Sequence, residues 1–293
     1  SVRSSFRLAN RLKLDLTDIE LIDMRADQEQ GRRATYAKHL AEKRARQGYT
    51  FQEAYDKMYE RNYFGMMMVE TGDADAFITG LYTRYSNTIK VVNEVIGIRP
   101  EYKHFGTMHI INSPRGTLYL ADTLVNEDPD TDTLADITKL SAHAVEFFNE
   151  KPVIALISHS NFGSSITVGA EKVKNAVAKV QAEYSDLTVD GEMQIGFALD
   201  KEIRDDLYPF SRLKGLDVNT LVFPNLTSAR SSYKMLQSLN TDVEIIGPIQ
   251  MGLNKPIHFV DYGASVREVV NITAVAVIDA YVEKIMKARE EKQ

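Results

Sequence analysis

The sequence predicts an α/β fold with mostly parallel strands, and three observations predict it. Apolar runs of strand length alternate with longer segments of helical period along nearly all 293 residues. One run, "KPVIALISHSN", is continuously apolar at its centre, as a strand covered on both faces of a parallel sheet must be. Polar tips such as "DYGAS" after "PIHFV" stand where a strand gives way to a helix, the place where such folds hold ligands.

In order along the chain, "IELIDMR" reads as a short strand, and residues from about Gln28 to Gly48 read as a charged helix ending at Gly. Thr50 opens the next helix, and its spacing to Glu53 is a capping box, in which each side chain satisfies an orphan amide at the helix start. "MMMVETGDADAFITGL" suits a helix delivering into a buried strand. "GTMHIINS" and "GTLYLADT" straddle Pro114-Arg115-Gly116, a turn signal, and predict a hairpin or two neighbouring strands. A helix follows from about Asp132 to Phe148, then the "PVIALIS" strand and a helix across "VKNAVAKVQAEYS". The alternation continues with strand "NTLVFPNL", a helix near "ARSSYKMLQSL", strand "VEIIGPI", strand Pro256 to Val260, and a long apolar helix opened by Ser265.

Composition removes several functional classes. With 44% apolar residues the chain can bury a proper core, as one large domain or two ordinary ones. A net charge of −6 leaves no broad basic field for nucleic acid or an anionic membrane surface. The longest apolar runs fall well short of the roughly 20 residues a membrane span needs. Zero Cys excludes disulfides and thiolate chemistry and, without a signal-peptide pattern, points to the cytoplasm. The six His show neither HxH nor HExxH spacing, so no metal site is expected. Neither a P-loop nor GxGxxG occurs. The start lacks Met and is expected to be cut from a longer chain.

Three stretches are candidate sites. "SHSNFGSS", Ser158 to Ser165, offers hydroxyls and amides at a strand's carboxyl end to a phosphate or an acyl oxygen, although turn chemistry also accounts for such residues. Asp190 and Glu192 flank Gly191 with a spacing open to metal or acid–base work, but alternate strand residues also simply share a side, and the structural reading is preferred. Ser265 and Glu268 form a second capping box at a helix start beside a strand end, where a carboxylate also reaches ligands.

Seven motifs in order, among them "YFGMMMVETGDADAFITGL", "SNTIKVVNEVIG", "LADTLVNEDPDTDTLADIT", "PVIALISHSNFGSS" and "GPIQMGLNKPIHFVDYGASVREVVN", resemble the phosphate acetyltransferases over essentially the whole chain. The resemblance implies a phosphotransacetylase / isocitrate dehydrogenase-like fold: two three-layer α/β/α domains with a cleft for coenzyme A, and homodimers or higher homo-oligomers. Residues 1–150 with 247–293 would form one domain, lacking the family's first strand–helix–strand unit, and 151–246 the other. The family moves an acetyl group between phosphate and the coenzyme A thiol, using Ser, Arg and Asp at positions that match Asp261, Tyr262 and Glu268 here. A further phosphate-handling Arg matches Lys90, and an Asp matches Gly196. These degenerate positions resemble those of the phosphotransacetylase-like domain at the C-terminus of large bacterial NADP-dependent malic enzymes. That likeness implies an acetyl-CoA-binding regulatory and oligomerisation domain without transferase activity. The acyl or pantetheine end would lie at Ser158, Ser160, Asn161, Gly163 and Ser164, and Lys90, Asp261, Tyr262 and Glu268 would line the old catalytic position. No cofactor is implied for this stretch, NADP and a divalent metal belonging to the malic enzyme domain expected in the same chain. The alternatives are an active phosphate acetyltransferase using Glu268 and Lys90, and a pure assembly module.

Overall fold

The structure, a computed structural model, describes residues 2–80, 85–239, 242–261 and 263–290. Two compact units divide the chain: Ser1–Phe77 with Arg84–Ile96, and Ile78–Thr83 with Gly97–Gln293.

The first unit is helical, with α1 (Val2–Leu12), α2 (Gln30–Lys43), α3 (Phe51–Lys57), α4 (Arg61–Thr71) and α5 (Tyr85–Val95). Leu40 of α2, Met58 at the end of α3, Met66 and Met67 of α4, and Val92 of α5 are fully buried and form its core. The capping box at α3 forms as expected: the Thr50 hydroxyl accepts from the Glu53 amide at 3.2 Å, and the Thr50 amide donates to the Glu53 carboxylate at 2.9 Å. The expected strand at "IELIDMR" is absent. Local bonding replaces it there: the Asp23 carboxylate accepts from the Arg25 amide at 3.3 Å, the Ala26 amide closes a turn on the Asp23 carbonyl at 2.8 Å, and the Arg33 guanidinium takes the Met24 and Ala26 carbonyls.

The second unit is built on a six-stranded sheet of order β5-β4-β6-β3-β2-β7. Its strands are β2 (Gly106–Ser113), β3 (Gly116–Ala121), β4 (Ile154–Ile157), β5 (Val189–Met193), β6 (Thr220–Val222) and β7 (Glu244–Met251). β1 (Phe77–Gly80) and β8 (Ile257–Val260) pair separately. The Pro114-Arg115-Gly116 signal closes an antiparallel β2–β3 hairpin in which Ser113 faces Gly116 and Met108 faces Ala121. From β3 outward through β6, β4 and β5 every pairing is parallel.

Both sheet faces are covered, which is why "VIALI" carries no polar residue. Ile154 and Leu156 point into a core with α6 (Thr131–Phe147), α7 (Val168–Glu183) and α11 (Val266–Glu290). Val153, Ala155 and Ile157 point into a second core with α8 (Ile195–Leu199) and α10 (Leu226–Leu239), α9 (Lys201–Leu207) lying between these two in the chain. This is a three-layer α/β/α arrangement. Residues 151–246, read from the sequence as a separate domain, share their sheet with β2, β3 and most of β7, and the compact units part instead near residues 77–84 and 96–97.

At Gly80, φ is +137° and an added Cβ would lie 2.1 Å from the Val260 carbonyl oxygen, so neither conformation nor space admits a side chain where β1 meets β8. Gly80→Ala is expected to lower stability by about 3 kcal/mol in urea unfolding.

Candidate functional site

Because β3, β6, β4 and β5 are parallel, the loops at their carboxyl ends gather along one sheet edge. Three buried carboxylates organise it. Asp122, just past β3, accepts six hydrogen bonds: from the Thr107 amide and hydroxyl at 2.9 and 2.5 Å, the Leu124 and Val125 amides at 3.1 and 3.3 Å, and the Asn126 amide and side chain at 2.8 and 2.6 Å. Asp190 takes the Ser211 hydroxyl and the Arg212 amide, both at 2.8 Å. Glu192, 1% exposed, takes the Ser160 hydroxyl at 3.0 Å and the Gly163 amide at 2.6 Å, while its second oxygen is buried without a hydrogen-bond partner among the described residues. Asp190 and Glu192 thus serve separate loops rather than forming a pair. Among the described residues no group of three His, Asp or Glu side chains is arranged to hold a metal.

The 158–165 loop folds around Glu192. The Ser160 hydroxyl also accepts from the Ser165 amide at 3.1 Å, the Ser164 hydroxyl accepts from the Asn161 amide at 2.9 Å, and the Asn161 side-chain oxygen accepts from the Gln194 amide at 2.8 Å. Ser158, Ser160 and Asn161 are therefore buried in the loop's own bonding, and Gly163 and Ser164 form its exposed crest.

At the β8–α11 tip the second capping box forms: the Ser265 amide donates to the Glu268 carboxylate at 2.6 Å and the Glu268 amide to the Ser265 hydroxyl at 3.2 Å. A cavity of about 260 Å³ opens beside it, walled by Glu244, Ile245, Ser265, Arg267, Glu268 and Asn271 among others, with Arg267 paired to Glu244 at 2.8 Å. Asp261, partly exposed, lies 3.7 Å from the Lys234 ammonium. Tyr262 lies outside the described residues. Lys90 belongs to the first unit; its exposed ammonium stands 3.9 Å from Glu94. Burial raises the Glu94 carboxyl, but hydrogen bonds from the Tyr49 and Tyr63 hydroxyls outweigh it and hold the group below its ordinary value.

Sequence reasoning missed the layer behind Asp261. Tyr233 of α10 stacks on His109 of β2, ring centres 4.3 Å apart and planes within 18°. His109 is bonded through Nδ1 to the Thr123 hydroxyl at 2.8 Å, and the β7 register shifts where it crosses Gly247. Burial, then the charges of Lys234 and Arg230, push the His109 ring down to about 3. The signal was the run "ARSSYK", which places Arg230, Tyr233 and Lys234 on one helix face.

The fold and this edge define an α/β protein that carries polar loops at the carboxyl ends of its strands. Residues 3–277 match the phosphate acetyl/butaryl transferase family, and the chain belongs to it. The NADP-dependent malic enzyme of Salmonella typhimurium is 40% identical over 236 residues, 80% of this chain but 31% of that protein, so the chain spans about a third of the malic enzymes it matches. The phosphate acetyltransferase of Clostridium acetobutylicum is 31% identical across 93% of this chain and 82% of its own length. The EutD phosphotransacetylase from Staphylococcus aureus superposes with a TM-score of 0.81 at 28% identity, covering 96% of this chain and 83% of that one.

Two measurements follow. Glu192→Ala strips acceptors from Ser160 and Gly163 and is expected to cost about 2 kcal/mol in denaturant unfolding and to speed exchange of the Gly163 amide about tenfold. His109 titrates near 6.5 when unfolded and about 3 when folded. The unfolded chain therefore takes up its proton first, and the stability His109 contributes is full above pH 6.5 and is lost as pH falls toward 3. Stability should drop between pH 6.5 and 5 by about 2 kcal/mol more in the wild type than in His109→Gln, measured by urea unfolding at each pH.

Proposed function

We propose that the chain is a phosphotransacetylase-like domain that binds acetyl-CoA or coenzyme A, regulates a malic enzyme domain in the same polypeptide, takes part in homo-oligomer assembly, and performs no acetyl transfer to phosphate. The observation that carries this reading is the charge of the β8–α11 tip. Asp261 puts a carboxylate at the strand end, and Glu268 is closed onto the Ser265 amide. A base engaged as a cap is poorly placed to take a thiol proton, and displacement of a base by about 1 Å costs roughly a hundredfold in rate. An added anion about 4 Å from a phosphate, at an effective dielectric near 20, opposes binding by about 4 kcal/mol before solvent screening.

Regulation would act through conformations that acetyl-CoA stabilises unequally. Supporting the link to a larger chain is the 40% identity to a stretch amounting to 31% of a malic enzyme. NADP and a divalent metal would be held by that other part, in the cytoplasm. In this chain the exposed crest at Gly163 and Ser164, backed by Ser158, Ser160 and Asn161, is where the acyl or pantetheine end would rest.

A second reading, an active phosphate acetyltransferase, draws on the similarity to the Clostridium acetobutylicum enzyme across 82% of its length, with Glu268 as base and Lys90 holding phosphate. Incubating the purified chain with acetyl phosphate and coenzyme A separates the two. The regulatory reading expects titration heat with acetyl-CoA and no acetyl-CoA formation above background; turnover would establish the enzyme instead.

A further inference from the structure

The two sides of α11 meet different surroundings. Inward, Ile272, Val275, Ala276 and Ala280 are buried, the Asp279 carboxylate accepts from His258 Nε2 at 3.1 Å, and Glu283 takes the Lys255 ammonium at 3.1 Å. The helix is thereby fastened through its middle and toward its end. Outward, Val266, Val270, Val277, Ile278, Tyr281 and Ile285 stand in solvent, from 36% exposed at Ile285 to 83% at Val266. Small Thr273 and Ala274 lie exposed between them, and the Thr273 hydroxyl is already spent on the Val269 carbonyl at 2.7 Å. Among the described residues from 266 to 286 the exposed charges are Arg267, which pairs with Glu244, and Lys284.

Spacing decides what fits this face. Val270, Ala274, Val277 and Tyr281 recur at steps of four, three and four, the seam by which one helix packs along another with knobs in holes. The six large side chains expose about 600 Å², as much as the largest apolar patch a monomer usually leaves bare and most of the roughly 800 Å² each partner gives to a stable interface. A centre poor in charge, with an exposed Tyr in it, has the composition of such an interface. Turned about a two-fold axis between Val275 and Ala276, the seam meets itself: Val270 faces Tyr281, Ala274 faces Val277, and Val266 faces Ile285, so the bulkier side chain of each layer meets a smaller one. Arg267, which comes opposite Lys284 at either end, has its charge met by its own Glu244 at 2.8 Å. We propose that the outer face of α11 pairs antiparallel with α11 of a second copy of this chain. The pairing rests on the assembly role proposed above and names the surface that performs it.

The test is sedimentation equilibrium of the 293-residue chain, with circular dichroism to confirm folding. The wild type is expected to be a dimer at micromolar concentration. Val277→Lys and Tyr281→Lys, both at exposed positions, should keep the fold and weaken dimerisation about a hundredfold, because a charge would be buried in the seam. Leu207→Lys, at an exposed apolar position on α9, should leave it unchanged. The chain has no Cys, so Ala274→Cys and Val277→Cys each supply a single thiol. Mixed under a mild oxidant, these two proteins should join to each other faster than either joins to itself. Preferred coupling of Ala274→Cys to itself, as a parallel pair requires, would overturn the proposal, as would a dimer indifferent to Val277→Lys and Tyr281→Lys. A monomeric wild type would overturn it too, leaving the face to another segment of a longer polypeptide. Acetyl-CoA titration of the same proteins reads the ligand role separately: a wild-type monomer that still gives heat removes the pairing alone.

Discussion

A carboxylate taken out of water must find donors or surrender its charge, and the carboxyl edge of the central sheet is arranged around that requirement. Asp122 gathers the backbone of its own following loop together with Thr107 from the neighbouring strand. Glu192 holds the crest of the 158–165 loop through Ser160 and Gly163, and Asp190 fixes the chain at Ser211 and Arg212. The converse holds on the far side of the second core, where the fully buried Arg204 draws in the carbonyls of Ala198, Leu213 and Leu216. Each charge turns a connection that would otherwise be mobile into a fixed one, because releasing the loop would strand the charge.

The β8–α11 tip follows a different rule. Asp261 and Lys234 are partly exposed and 3.7 Å apart, a pair worth about 1 kcal/mol or less. That pair holds its geometry less tightly than Asp122 holds its loop, while Ser265 and Glu268 fix the start of α11. The edge therefore offers rigid shape, suited to recognising a fixed group, and the tip offers charge that can be redistributed.

How much of this is legible in the sequence depends on the range of the interaction. Both capping boxes, Thr50 with Glu53 and Ser265 with Glu268, close three residues apart and were readable. So was the hairpin, whose turn residues fix the pairing of Ser113 with Gly116. The absence of a strand at "IELIDMR" is not legible, because apolar spacing says nothing about the Asp23 carboxylate that takes the Arg25 amide or the Arg33 guanidinium that takes the Met24 and Ala26 carbonyls. The candidate loop at Ser158 to Ser165 is visible as a polar cluster, but its organiser, Glu192, lies about thirty residues on, and the structural reading preferred for Asp190 and Glu192 does not tie Glu192 to that loop. The stack of His109 on Tyr233 joins residues more than a hundred positions apart, for which single-sequence periodicity has no signal.

The charged side chains of the β8–α11 tip are met in pairs. At the tip Glu244 is matched by Arg267, Asp261 by Lys234, and Glu268 by the Ser265 amide. A phosphoryl-handling site needs a concentrated surplus of positive charge to steady three oxygens and an oxyanion. Here positive charge is met locally, one pair at a time.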